Sequence, residues 1–268
     1  MFGFTIRGLR RLLAASLFAA AIGVAAGAAH RAAAAEAPTP PDLSWSFEGP
    51  FGTYDRAQLQ RGYKVYREVC AACHSMSMLA FRNLADPGGL EFSLEQVRAL
   101  AAEFEVEDGP DDQGDMFTRV ATPADRFPSP FPNEQAARAA NGGALPPDLS
   151  VIAKARPHGP DYVYALLTGY REPPIGFEMR AGMYHNVYFP SYQIAMAPPL
   201  SEGVVEYSDG SPETAAQYSQ DVSAFLMWAA EPNLEARHKM GFKVMIYLLI
   251  LAGLLYVTKR RVFAEVAH

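Results

Sequence analysis

The chain has 268 residues, half of them hydrophobic and 12% aromatic, so it carries enough apolar side chain for a sizeable packed core, and wholesale disorder is excluded. Acids outnumber bases, 29 to 23, and the first 35 residues hold four of the bases (Arg7, Arg10, Arg11, Arg31) and no acid. Without that segment 19 bases face 29 acids, a net charge of −10, which argues against nucleic acid as a partner and for a cationic one.

Residues 1–35 read as a signal peptide, with a basic n-region at Arg7, Arg10 and Arg11, an apolar stretch Leu12–Val24 and cleavage after Ala33-Ala34-Ala35. The competing reading is a retained Ala-rich membrane helix. Glu36–Gly52 is a Pro- and Ala-rich, extended lead-in. Asp55 is placed to cap a helix from Arg56 to about Val69, with Leu59, Tyr63 and Tyr66 on one face. Ser93-Leu94-Glu95-Gln96 is a capping box for a short helix running towards Phe104. Seven acids follow (Glu103, Glu105, Glu107, Asp108, Asp111, Asp112, Asp115) in what reads as an exposed loop. Pro123–Pro132 reads as a second loop. Gly159-Pro160 opens a helix ending near Gly169, and Gly203–Gly210 is the best hairpin candidate. Ser211-Pro212 opens the longest helix outside the membrane, with Val222, Phe225, Leu226 and Ala229 on its apolar side and Pro232 ending it.

Met240–Val257 is apolar except for Lys243, and Lys259-Arg260-Arg261 follows. About 18 such residues cross a hydrocarbon core of ~30 Å at 1.5 Å per residue. The expected organisation is a mainly α extracytoplasmic domain with long loops at 36–236, one C-terminal transmembrane helix at 237–259 and a short cytoplasmic tail at 260–268. Basic residues flank the span on both sides, so charge alone leaves its direction open. An exported N-terminus puts the domain on the periplasmic side of the cell membrane.

The chemistry concentrates at Cys70-Ala71-Ala72-Cys73-His74, which holds the only two cysteines. Two thiols three positions apart can add to the two vinyl groups of one heme, and the next residue then offers an imidazole to the iron. A disulfide closing so small a loop would add little stability. A thioredoxin-like pair would want a strand before it, whereas a helix precedes this one. A zinc site would need further Cys or His ligands that no spacing supplies. A second iron ligand must come from elsewhere. Met76 and Met78 are too near His74 to reach the opposite face, which leaves Met183, Met196, His158 and His185. Met196 stands in the apolar Ile194-Ala195-Met196-Ala197-Pro198-Pro199-Leu200, where the prolines stiffen the backbone around a soft thioether; the plain alternative is a core methionine.

Gly62 and Tyr66, eight and four residues before Cys70, resemble class I cytochromes c, in which a residue without a side chain lets a second helix cross closely. The helix with Phe225 and Trp228 is the expected partner in that crossing. A longer set, Asn141-Gly142-Gly143-Ala144-Leu145-Pro146-Pro147-Asp148-Leu149-Ser150, Asp161-Tyr162-Val163, Leu167-Thr168-Gly169-Tyr170, Tyr188-Phe189-Pro190, Ala195-Met196-Ala197-Pro198-Pro199 and Trp228-Ala229-Ala230-Glu231-Pro232, resembles the cytochrome c1 family, the heme subunit of the cytochrome bc1 complex (quinol–cytochrome c oxidoreductase).

That resemblance implies one covalently bound heme c with His74 and Met196 as its iron ligands. It also implies that Asn141, Pro146 and Pro147 wall the heme, with Arg156 and Tyr162 near a propionate. The partners implied are cytochrome b, a Rieske iron–sulfur protein, a soluble cationic cytochrome c and membrane lipid, in a dimeric complex. On this reading the chain carries single electrons and is no enzyme by itself. The rival readings are the cytochrome subunit of a terminal oxidase or nitric oxide reductase, a heme peroxidase and a disulfide-exchange protein. The acids of 103–115 either steer the cationic cytochrome or form a solvated loop. Some bacterial relatives carry an extra disulfide in this domain; with no third cysteine, this chain needs another device to hold its distal loop.

Overall fold

The computed structural model describes residues 37–264, so the expected signal peptide and the end of the tail lie outside the described residues. Seven α-helices dominate them: α1 (Arg56–Glu68), α2 (Leu94–Ala101), α3 (Glu134–Ala140), α4 (Ile152–Ala155), α5 (Gly159–Thr168), α6 (Ala215–Ala230) and α7 (Leu234–Val262). Two small antiparallel hairpins join them, β1 (Glu105–Asp108) with β2 (Phe117–Val120), and β3 (Tyr184–His185) with β4 (Gln193–Ile194).

The helix starts follow from their caps. The Asp55 carboxylate accepts from the N–H groups of Ala57 and Gln58 and opens α1. Ser93 and Gln96 form the expected reciprocal capping box of α2, which stops at Ala101 instead of running on to Phe104. Thr214, three residues after the expected Ser211-Pro212 start, caps α6. Proline sits in the first turn of α5.

The core is built where α1 crosses α6. A Cβ on Gly62 would lie 2.1 Å from the Asp221 carbonyl oxygen and 2.7 Å from Phe225 Cβ, so only glycine allows this approach. Tyr63 and Tyr66 pack on the Phe225 ring with centroids 5.7 Å away, and both reach Phe127. Beside the crossing, the fully buried Asp221 accepts from Arg61 Nε at 2.9 Å, Tyr207 Oη at 2.9 Å and Gln217 Nε2 at 3.0 Å. A buried carboxylate satisfied this way locks α1, α6 and the 205–209 loop into one arrangement. The lead-in folds back on the domain: Trp45 and Phe47 are buried, and Trp45 Nε1 donates to Asp161 at 2.7 Å.

Two expectations need correction. The acidic stretch is not a plain loop, since Glu105–Asp108 pairs with Phe117–Val120, with Glu105 opposite Val120 and Asp108 opposite Phe117. Gly203–Gly210 forms no hairpin; Val205 is buried, and its N–H and carbonyl both bond the Tyr218 hydroxyl of α6. α7 is 29 residues long, begins three residues before the expected 237, and contains an 18-residue window of mean hydropathy 2.1 with none of it buried. By length and apolarity it can cross a membrane.

Candidate functional site

The site begins where α1 ends. Val69 closes the helix, and the chain tightens into a 3-10 turn at Cys70–Ala72, in which Cys73 and His74 donate their N–H groups to the Cys70 carbonyl at 3.1 and 2.9 Å. One turn therefore carries both cysteines and the histidine. The two cysteines form no disulfide; Cys70 is half-buried and Cys73 exposed. Burial pushes the Cys70 thiol up to about 12, with Cys73 adding to the effect.

His74 is held by a second segment. Its Nδ1 lies 2.8 Å from the Pro147 carbonyl oxygen, and a carbonyl only accepts, so Nδ1 carries the proton and Nε2 keeps its lone pair. Burial lowers the His74 pKa against the opposing pull of that hydrogen bond, which favours the neutral ring a metal ligand must be. The Pro147 segment is itself clamped to the residues after His74. Asp148 accepts from Ser75 Oγ at 2.9 Å, Ser77 N–H at 2.9 Å, Ser77 Oγ at 2.8 Å and Ser150 N–H at 2.8 Å. Leu149 N–H donates to the Ser75 carbonyl at 2.8 Å, and Met78 N–H to Ser150 Oγ at 3.1 Å. Asp148 and Ser150 are thus positioning residues that sequence reasoning passed over, although Asp two residues before Ser is an Asx-turn signal.

Asn141 ends α3, and its side-chain amide is committed to the Ala137 carbonyl at 2.7 Å; it shapes the turn that leads to Pro146. Arg156, just past α4, is exposed and makes no ion pair among the described residues. Burial raises the pKa of the Tyr162 hydroxyl of α5, and the Arg156 charge partly opposes that rise. An exposed guanidinium with no ion pair among the described residues suits a carboxylate ligand.

Met196 follows β4 and is half-buried, and its carbonyl accepts from the Tyr170 hydroxyl at 3.0 Å. Nearby, Tyr170, Met179, Met183, His185 and Pro198 line a cavity of about 500 Å³. His185 is buried, with its ring edge-on to Phe177 and stacked on Tyr192. His158 stands apart, exposed in a left-handed turn before α5. Two adjacent thiols and a neutral, oriented imidazole fit a covalently attached heme, and a thioether in a stiff loop fits a second iron ligand.

Comparison with known proteins agrees with this chemistry. A model of the Cytochrome C1 family matches residues 45–266. The chain is 56% identical over 245 residues to "Cytochrome b/c1" of Bradyrhizobium diazoefficiens, covering 84% of this chain but only 36% of that longer protein. It is 54% identical over 212 residues to "Cytochrome c1-2, heme protein, mitochondrial" of Solanum tuberosum, covering 79% of this chain and 80% of that one. With "Cytochrome c1" of Blastochloris viridis it shares 45% identity over 264 residues, 90% and 94% of the two chains. A match of this extent, over a chain whose helical fold presents the thiol–imidazole turn, shows that the protein belongs to the cytochrome c1 family.

Proposed function

We propose that this chain is the membrane-anchored heme c subunit of a quinol–cytochrome c oxidoreductase, taking single electrons from a Rieske iron–sulfur protein and passing them to a soluble cytochrome c. The observation that carries the reading is the Cys70–His74 turn with His74 Nδ1 pinned on the Pro147 carbonyl. Heme c, when bound, supplies an iron that gains and loses one electron. Cys70 and Cys73 hold the group through two thioethers, and His74 presents Nε2 to the metal. The Pro147 carbonyl fixes the ring and makes it a better donor. Met196 gives the second ligand, a thioether that raises the potential and leaves no position for oxygen or peroxide. Asn141, Pro146 and Pro147 shape the wall, while Arg156 with Tyr162 receives a propionate.

α7 anchors the domain in the cell membrane beside cytochrome b, with 36–236 on the periplasmic side, 237–259 spanning, 260–268 cytoplasmic and the complex dimeric. On the β1–β2 hairpin, Glu105 and Glu107 share the exposed face, as strand alternation requires. They and the acids of the hairpin turn attract a cationic cytochrome, an effect that salt screens.

The test is a reduced-minus-oxidised spectrum of the complex drawn from membranes by a tag on this chain, alongside the Met196→Leu variant. Quinol-reducible c-type and b-type signals are expected, with carbon monoxide binding the reduced variant but not the wild type. A c-type signal without cytochrome b, or one with an oxidase signature, would overturn the partner assignment. Carbon monoxide binding to the wild type would overturn the ligand assignment.

A further inference from the structure

A second cavity, of about 210 Å³, opens where the domain meets α7, lined by Pro50, Phe51, Thr53, Glu235, His238, Lys239 and Phe242 among others. We infer that this cavity is a binding site for the phosphate headgroup of a phospholipid in the periplasmic leaflet. The inference rests on the reading of α7 as a membrane span.

Depth supports it. The large exposed apolar side chains of α7 from Met240 to Val257, ahead of Lys259, form a band of about 27 Å of helix, close to the ~30 Å of a hydrocarbon core. His238 and Lys239 immediately precede that band. They therefore stand in the headgroup layer, which adds about 5–8 Å on each side.

Chemistry supports it as well. Lys239 is 72% exposed, and its only ion pair among the described residues is a long 3.7 Å contact to Glu235. Glu235 is already satisfied by Arg56 Nη1 at 2.8 Å, Arg56 Nη2 at 3.3 Å and the Tyr54 N–H at 3.1 Å, so it does not use up the lysine. His238 Nδ1 is a buried ring nitrogen with no hydrogen-bond partner among the described residues. The cavity thus offers an ammonium and an imidazole to an anion.

The walls complete the case. Phe51, at the tip of the lead-in, is 79% exposed, and its ring meets Phe242 of α7 edge-on at 6.2 Å. The pair leaves apolar ring surface exposed, which suits the membrane interface, where aromatic rings lie against the glycerol region of a lipid whose phosphate meets Lys239. An ammonium and an imidazole above, rings at the side and an apolar helix below match a phospholipid in the order of its own parts.

The test uses the heme-loaded complex, stripped of lipid in excess detergent and titrated with dioleoylphosphatidylglycerol, with bound lipid counted by native mass spectrometry. One lipid per chain is expected, with retention at least tenfold weaker in the double variant His238→Gln, Lys239→Gln, whose heme spectrum stays that of the wild type. In the wild type, which needs no variant to fold, the lipid is expected to slow acylation of Lys239. Equal retention by the double variant overturns the inference. Displacement of the lipid by millimolar inorganic phosphate also overturns it, by making the site one for a free anion. A Lys239 already shielded in the lipid-stripped complex overturns it too, because another subunit then covers the face. Release of the chain from membranes by alkaline carbonate would sink the membrane reading itself, whereas a chain that stays embedded without bound lipid sinks only this site.

Discussion

Replacing Gly62 by alanine tests the close crossing of α1 and α6 on which the heme-side core depends. The added Cβ would stand 2.1 Å from the Asp221 carbonyl oxygen and 2.7 Å from both its carbon and Phe225 Cβ. Two of these three neighbours are backbone atoms, which cannot swing aside as a side chain can. Restoring an ordinary 3.4 Å contact moves the helices apart by about 1.3 Å. Such overpacking costs about 1–3 kcal/mol. The separation also loosens Phe225 from Tyr63 and Tyr66, two ring pairs worth about 0.5–1.5 kcal/mol each. Alanine returns about 1 kcal/mol of helix propensity, leaving a net loss of about 1–5 kcal/mol. Denaturant unfolding of the full chain in detergent, followed by circular dichroism, measures this directly. Gly241→Ala is the control, since a Cβ added there would meet nothing within 4 Å, and it is expected to be neutral or slightly stabilising. A Gly62→Ala protein within about 0.5 kcal/mol of wild type would refute the reasoning.

Burial works to raise the Asp148 carboxyl, but hydrogen bonds from Ser150 and Ser77 outweigh it and bring the pKa down to about 2 from an ordinary 3.8. A depressed carboxylate stabilises the fold above its unfolded pKa, and that contribution is lost as pH falls from about 4 to 2. After discounting for partial exposure it amounts to about 1 kcal/mol. Asp148→Asn should flatten the acid limb of a stability–pH curve, and an unchanged limb would mean the clamp is not ionic. On the proposed placement of Arg156 at a propionate, Arg156→Gln removes a cation that would favour the reduced state. Redox titration should find the midpoint lower by about 20–60 mV, the one-electron equivalent of about 0.5–1.4 kcal/mol for a screened charge. A potential unmoved beyond a few millivolts would place Arg156 away from the heme.

Local signals in the sequence were legible where one short segment decides the structure. Asp55 and Ser93 cap helices because each side chain reaches N–H groups two or three residues on. The Cys70–His74 turn is likewise contained in its own few residues. The β1–β2 hairpin was missed because β2 breaks the usual alternation: Phe117 and Val120 are both exposed, while Arg119 turns inward to ion pairs with Asp108 and Asp125. Gly203–Gly210 misled in the other direction, since glycines at both ends suggested a turn between strands. A tyrosine hydroxyl on a distant helix takes up the Val205 backbone groups that a strand partner would have used. The same limit applies to the site. Its proximal half reads from one pentapeptide, but the Pro147 carbonyl lies 73 residues from His74, and Tyr170 lies 26 from Met196. Nothing in the local pattern announces such pairs.

The distal half also answers how the Met196 loop is held without a third cysteine. Asn186 is fully buried. Its side-chain amide donates to the Leu166 carbonyl at 2.7 Å, its side-chain oxygen accepts from Tyr188 N–H at 3.0 Å, and its own N–H donates to the Tyr192 carbonyl at 3.0 Å. Val187 N–H adds a bond to the Gly169 carbonyl at 3.0 Å, and Tyr170 reaches forward to the Met196 carbonyl. One asparagine thus ties the end of α5 to the strand pair that leads into Met196, a task a disulfide could perform covalently. Asn186→Ala leaves the half-buried Tyr188 N–H unpaired and the Leu166 carbonyl with only the long 3.4 Å bond from Gly169 N–H, at about 1–3 kcal/mol in all. Because Cys70, Cys73 and His74 belong to the other half, the variant should keep its heme and lose its grip on Met196. Carbon monoxide should then bind the reduced protein, and the potential should fall as thioether ligation weakens. A variant that unfolds at the wild-type denaturant midpoint and still excludes carbon monoxide would show that the proline-stiffened segment holds Met196 unaided.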